Sequence, residues 1–91
     1  MFVSAQPEIA MGIFYFHLRE GDELLADDQG VDLPDVSAAR REAELAARDI
    51  IADAIKAGRD DIPHAFVIAD EQGREIDTVL FTIVLPKPLR K

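Results

Sequence analysis

Alternation of apolar and polar residues at every second position organises the two ends of the chain, and a helical period organises its middle. From Gly12 the run Ile13-Phe14-Tyr15-Phe16-His17-Leu18-Arg19 is rich in aromatic and apolar side chains that suit a strand. Its alternation puts Phe14, Phe16 and Leu18 on a core face and Tyr15, His17 and Arg19 on the opposite face. Glu20-Gly21-Asp22 predicts a tight turn and Glu23 to Asp27 a short second strand, and Val31 and Leu33 continue the alternation until Pro34 ends it.

One phrase occurs almost twice, as Ala26-Asp27-Asp28-Gln29-Gly30 and as Ala69-Asp70-Glu71-Gln72-Gly73. Acids accept the opening positions of a type I turn and Gly takes the next position with positive φ. Each copy is therefore expected to be a short loop joining two antiparallel strands, with Gly30 and Gly73 as its structural residues.

Between the copies, Asp35 is a natural N-cap, the segment from Val36 to about Ala57 is built from helix formers, and Gly58 closes it. Val36, Ala39, Ala43, Ala46, Ala47, Ile50, Ile51 and Ala54 fall on one stripe at helical spacing. The stripe is Ala-rich, so the helix can approach a sheet closely. Glu44 and Arg48 are spaced as a favourable i,i+4 pair. Leu45 projects from the polar side between Ala38 and Ala52 and is a candidate partner contact, although isolated exposed leucines are common.

His64 to Asp70 forms a third strand, with Phe66 and Ile68 on one face and Ala65 and Val67 on the other, and Glu75 to Leu85 the longest strand. The expected fold is α+β, ββαββ: a four-stranded antiparallel sheet with one long helix packed on one face. One helix covers one face only. Val67, Leu80 and Val84, with Tyr15 beside them, therefore call for a second cover, and a homodimer through the uncovered face supplies it. Residues 1–11, which contain Pro7, read as a flexible arm, residues 12–85 as a single α+β domain, and residues 86–91 as a basic tail, extended and mobile.

Composition narrows the function. At 91 residues there is room for one core. Acids outnumber bases 18 to 10 for a net charge of -8, which opposes nucleic acid and anionic membranes and favours a basic protein partner. The absence of cysteine removes disulfide and thiolate chemistry and agrees with a cytoplasmic location, and no apolar run is long enough for a signal peptide or a bilayer span.

No catalytic, metal, cofactor or nucleotide motif stands out. His17, between Tyr15 and Arg19, is the residue best suited to act as base or ligand, yet no nucleophile or second ligand accompanies it and His64 is remote in sequence, so a strand histidine without chemistry is the expected reading. The acids Asp27, Asp28 and Asp32, like Asp70, Glu71 and Asp77, lack the spacing of a calcium loop and suit the turns they occupy.

Phe14-Tyr15-Phe16-His17-Leu18-Arg19-Glu20-Gly21-Asp22, the Asp27-Asp28-Gln29-Gly30 turn, Leu33-Pro34-Asp35 and Ala39-Arg40-Arg41-Glu42-Ala43 together resemble the bacterial DUF6894 family, from Met11 to about Phe81. The resemblance implies a short protein of shared architecture and uncharacterised function, starting near Met11 with the preceding residues as an extension, and carries over no reaction, ligand or site. The expectation is a non-enzymatic interaction or regulatory module that self-associates through its uncovered sheet face. The competing class is a small-molecule binder or minor enzyme using Tyr15, His17 and Arg19. Candidate ligand or interface residues are thus Tyr15, His17, Arg19, Leu45, Val67 and Leu80.

Overall fold

A computed structural model describes residues 12–89. Five strands and one long helix follow in the order β1 (Gly12–Glu20), β2 (Glu23–Leu25), β3 (Val31–Leu33), α1 (Val36–Lys56), β4 (Ala65–Ala69) and β5 (Glu75–Leu80). The class is α+β, with a fully antiparallel sheet of spatial order β2-β1-β4-β5 and β3 paired to β1 as well.

The helix keeps to its expected limits because its ends are chemically marked. Asp35 lies in extended conformation and its carboxylate accepts the Ala38 N–H at 2.8 Å, and beyond Lys56 the chain turns through Gly58 at φ 73°. Ala39, Ala43, Ala47, Ile51 and Ala54 are its buried residues. Ala39, Ala43, Ala47 and Ile51 meet Phe14 from β1, Phe66 and Ile68 from β4, and Val79 from β5, with Phe16 and Leu18 partly buried against the cluster. Val36, at the first turn, is exposed and leaves the expected stripe.

Several expectations are corrected. The first acidic phrase does not join two strands that pair with each other. The turn at Gly21 closes the β1–β2 hairpin, and the chain then continues along the same edge of β1: Leu18 opposes Leu25, and Phe14 opposes Val31. Between them the Asp27 carboxylate accepts the N–H of Phe16, midway between Phe14 and Leu18, so β2 and β3 lie end to end on one edge of β1, and the four expected strands become five. Between those pairs, three residues of β1 face five of the edge, a bulge two residues deep. The second phrase is the hairpin it was expected to be: Gly73 N–H donates to the Asp70 carbonyl at 3.0 Å and Asp70 N–H to the Arg74 carbonyl at 2.9 Å.

The last strand is shorter than its alternation suggests. Phe81 N–H donates to the His64 carbonyl at 3.0 Å, after which Phe81–Val84 coils into a 3-10 turn. The Phe81 ring then lies in the core, 5.4 Å from that of Phe66, and Val84 and Leu85 pack against the cluster instead of extending a sheet face. In the tail, Lys87–Leu89 is a 3-10 turn, not extended, with Leu89 N–H donating to the Pro86 carbonyl at 2.9 Å. The expected arm, residues 1–11, and the final residues 90–91 lie outside the described residues.

The expected Glu44–Arg48 pair does not form. Glu44 pairs with Arg40 at 3.5 Å, and Arg40 reaches across to Asp77 of β5 at 2.7 Å, which ties the helix to the far edge of the sheet.

Candidate functional site

Pleating fixes what the uncovered sheet face presents. Phe66 and Ile68 point to the helix, so Ala65, Val67 and Ala69 point away from it. The register sets Arg19 beside Ala65 and Ala65 beside Leu80, His17 beside Val67 and Val67 beside Thr78, and Tyr15 beside Ala69. Five of the six candidate residues, Tyr15, His17, Arg19, Val67 and Leu80, thus share one face. Leu45 stands on the outer side of α1, away from them and 54% exposed.

The middle of this face is already shielded in the single chain. Val67 is 2% exposed, and Ala65 and Ala69 are as deeply buried, although α1 lies on the other side of the sheet. The surface that remains is made by half-buried Tyr15, His17 and Arg19 and by exposed Leu24 and Leu80.

His17 and Asp27 form a polar cluster bordering this face that is tied together by hydrogen bonds. Asp27 N–H donates to His17 Nδ1 at 3.0 Å. The Asp27 carboxylate in turn accepts Phe16 N–H at 3.1 Å through Oδ2, and Gln29 and Gly30 N–H at 3.0 and 3.2 Å through Oδ1. Burial pushes the Asp27 pKa up, but the three backbone donors outweigh it and hold the carboxyl below its ordinary range. Tyr15 stacks beside His17 with ring centroids 6.4 Å apart and planes 13° from parallel.

This arrangement limits what His17 can do. A backbone N–H always donates, so Nδ1 holds the lone pair and the proton of the neutral ring sits on Nε2. A histidine that acts as a base or metal ligand through Nε2 uses the opposite tautomer, in which Nδ1–H donates to a carboxylate or carbonyl. His17 is therefore a hydrogen-bond donor toward the open face, and its ring is a strut for the bulge. No group of three or more His, Cys, Asp or Glu among the described residues is arranged to hold a metal ion.

Two clefts are present, one away from this face and one that borders it at Leu80. One of about 370 Å³ runs between the second half of α1 and the C-terminal segment, lined by Arg48, Ile51, Ala52, Ile55, Val84, Leu85, Pro86 and Leu89. The other, of about 280 Å³, is lined by Gly21, Ile62, Pro63, His64, Leu80, Phe81 and Thr82. Neither is lined by Tyr15, His17 or Arg19. The first cleft escapes the sequence pattern because the alternation of Phe81, Ile83 and Leu85 imitates a strand, whereas the chain coils back against the helix. Its signal in the sequence is Ile55, an apolar residue off the buried stripe, together with Leu89 between prolines and cations.

No helix among the described residues is long and apolar enough to cross a membrane. No curated protein and no solved structure matches the chain. A family model does, over residues 13–82, a span that runs from the aromatic strand through the helix to the end of the sheet. The chain belongs to the DUF6894 family, a domain of unknown function.

Proposed function

We propose that the domain is a non-catalytic binding module that pairs with a second copy of itself through the open sheet face. The observation that carries this reading is the make-up of that face: its central strand is shielded, and its rim of Tyr15, His17, Arg19, Leu24 and Leu80 combines apolar area with donors, while neither of the two clefts is lined by Tyr15, His17 or Arg19. Both edges of the sheet are unsuited to adding a strand. At one edge the bulge at Asp27 interrupts the ladder, and at the other Asp77 accepts the Thr78 N–H at 2.8 Å, so a face and not an edge is the surface on offer. A two-fold pairing would set the same patch against itself, as closed dimers do.

The reading of this face as a ligand or catalytic site is weakened by the Nδ1 acceptor geometry of His17. Light scattering at tens of micromolar tests the dimer: twice the chain mass is expected for the native protein and one chain mass for Leu80→Glu. A native protein of one chain mass removes the proposal. A Leu80→Glu variant that stays paired moves the interface to another surface.

A further inference from the structure

We infer that the cleft between α1 and the C-terminal segment is a binding site for a linear amphiphile with a carboxylate head, in the class of a medium-chain fatty acid. Ile55 at 64% and Leu89 at 58% exposed are the two most exposed large apolar side chains among the described residues, and both line this one cleft. Single exposed apolar residues are ordinary, but two that line the same cleft form a contiguous apolar surface, the kind that marks a binding site. Apart from Arg48, every residue of the lining is apolar, and a volume of about 370 Å³ lies at the small end of the range for ligand sites.

The head group follows from charge. Arg48 is the single charged residue of the lining, and among the described residues it makes no ion pair, because Glu44, its partner by spacing, is taken by Arg40. An arginine lining an otherwise apolar cleft favours a planar anion that its guanidinium can hold by two parallel hydrogen bonds, which a carboxylate satisfies. Lys87, in the turn between the lining residues Pro86 and Leu89, adds a second cation close in the chain. The net charge of -8 opposes an anion at long range, so recognition must come from contact with Arg48 and from burial of the chain. The site is separate from the open sheet face, and its occupancy does not depend on self-association.

Calorimetric titration with decanoate, decanol and decyltrimethylammonium tests the assignment on the native chain, alongside Arg48→Gln and Ala52→Phe. Both variants alter exposed positions of α1 and should melt near the native temperature. Saturable binding of decanoate is expected, with decanol about fivefold weaker and the ammonium amphiphile weaker still. Arg48→Gln should bring decanoate down to decanol while leaving decanol unchanged, and Ala52→Phe should abolish both by filling the slot. Amide resonances of Ile51, Ile55, Val84 and Leu89 should shift on titration and those of Tyr15 and His17 should not. Absence of saturation, equal binding of the three amphiphiles, or indifference to Arg48→Gln would overturn the proposal. So would a native chain in which Ile55→Glu dissociates a dimer, because the cleft would then be a contact between copies.

Discussion

The carboxylate of Asp27 accepts the backbone N–H of Phe16 across 3.1 Å, in the place where an edge strand would have offered a carbonyl. The edge of β1 is two residues too long at that point, and a side chain completes the ladder that the backbone leaves open. Asp27 N–H, lacking a strand carbonyl in turn, donates to His17 Nδ1. Two acids adjacent in sequence therefore differ in kind: Asp27 is structural, whereas Asp28 is exposed.

Asp27→Ala should destabilise the domain by about 2 kcal/mol, since it leaves three backbone donors without their acceptor at a half-buried site. Asp28→Ala should stay within about 0.5 kcal/mol of the native chain. Urea unfolding followed by circular dichroism measures both, and equal losses would remove the structural role of Asp27.

Acid should unfold the domain through the same group. Burial raises the Asp27 pKa, but its backbone donors outweigh this and hold it below the ordinary value, and Asp70 is held below it first by the Arg74 N–H, which donates at 2.9 Å. A carboxyl with a lower pKa in the folded than in the unfolded state binds fewer protons when folded. Its stabilisation is complete above the unfolded value and disappears as pH falls through the folded one. The urea midpoint should thus decline on acidification between about pH 5 and pH 2. In Asp27→Asn the decline should be shallower from a lower starting point.

The two turn glycines should differ in cost. Gly30 and Gly73 share positive φ, at 75° and 81°, so any side chain at either carries the left-handed penalty of roughly 1 kcal/mol. At Gly73 a Cβ meets open space, but at Gly30 it would lie 2.5 Å from Ile13 Cγ2 and 2.9 Å from the Tyr15 ring. Gly30→Ala should therefore cost about 2 kcal/mol more than Gly73→Ala, because the stiff neighbours must move. Thermal melts of the two variants decide the ranking.

Ala43 and Ala46, both on the expected apolar stripe, should separate in the same way. Ala43 is fully enclosed against the sheet and Ala46 is only partly covered. Leucine at 43 should cost about 1 to 3 kcal/mol by overpacking, and at 46 less than half of that. Equal destabilisation would show that the helix can rotate or lift to admit either.

Asp77 should matter more for solubility than for stability. It holds Arg40 and also accepts the Thr78 N–H at the edge of β5. Asp77→Ala should leave the melting temperature little changed and raise concentration-dependent light scattering, while Arg40→Ala should change neither strongly. An Asp77→Ala protein that scatters like the native one would show that the edge needs no guard.

Local chemistry along the chain is sufficient for several features. Alternation decides which side of β1 and β4 meets the helix, so Phe14, Phe66 and Ile68 are in the core, and Tyr15, His17 and Val67 share the other face. Asp35 and Gly58 set the helix limits, and the Ala69–Gly73 phrase forms its hairpin turn. These outcomes depend on neighbours a few residues apart, where steric and hydrogen-bonding preferences act directly. The first acidic phrase makes nearly the same local bonds as the second, from Asp27 to Gln29 N–H and from Asp70 to Gln72 N–H. Its flanking strands nevertheless pair with β1 instead of with each other. That choice belongs to the tertiary structure: β1 has nine residues and β2 covers only its last three, so the rest of the edge waits for β3. The curl of Phe81–Val84 is of the same origin. Its alternation suits a strand, but burial of Phe81 against Phe66 is won by turning the chain over the helix, and that turn creates the cleft beside Arg48. Periodicity records which side of an element is apolar, whereas the partner of each edge and the path of each end are fixed by contacts between residues far apart in the chain.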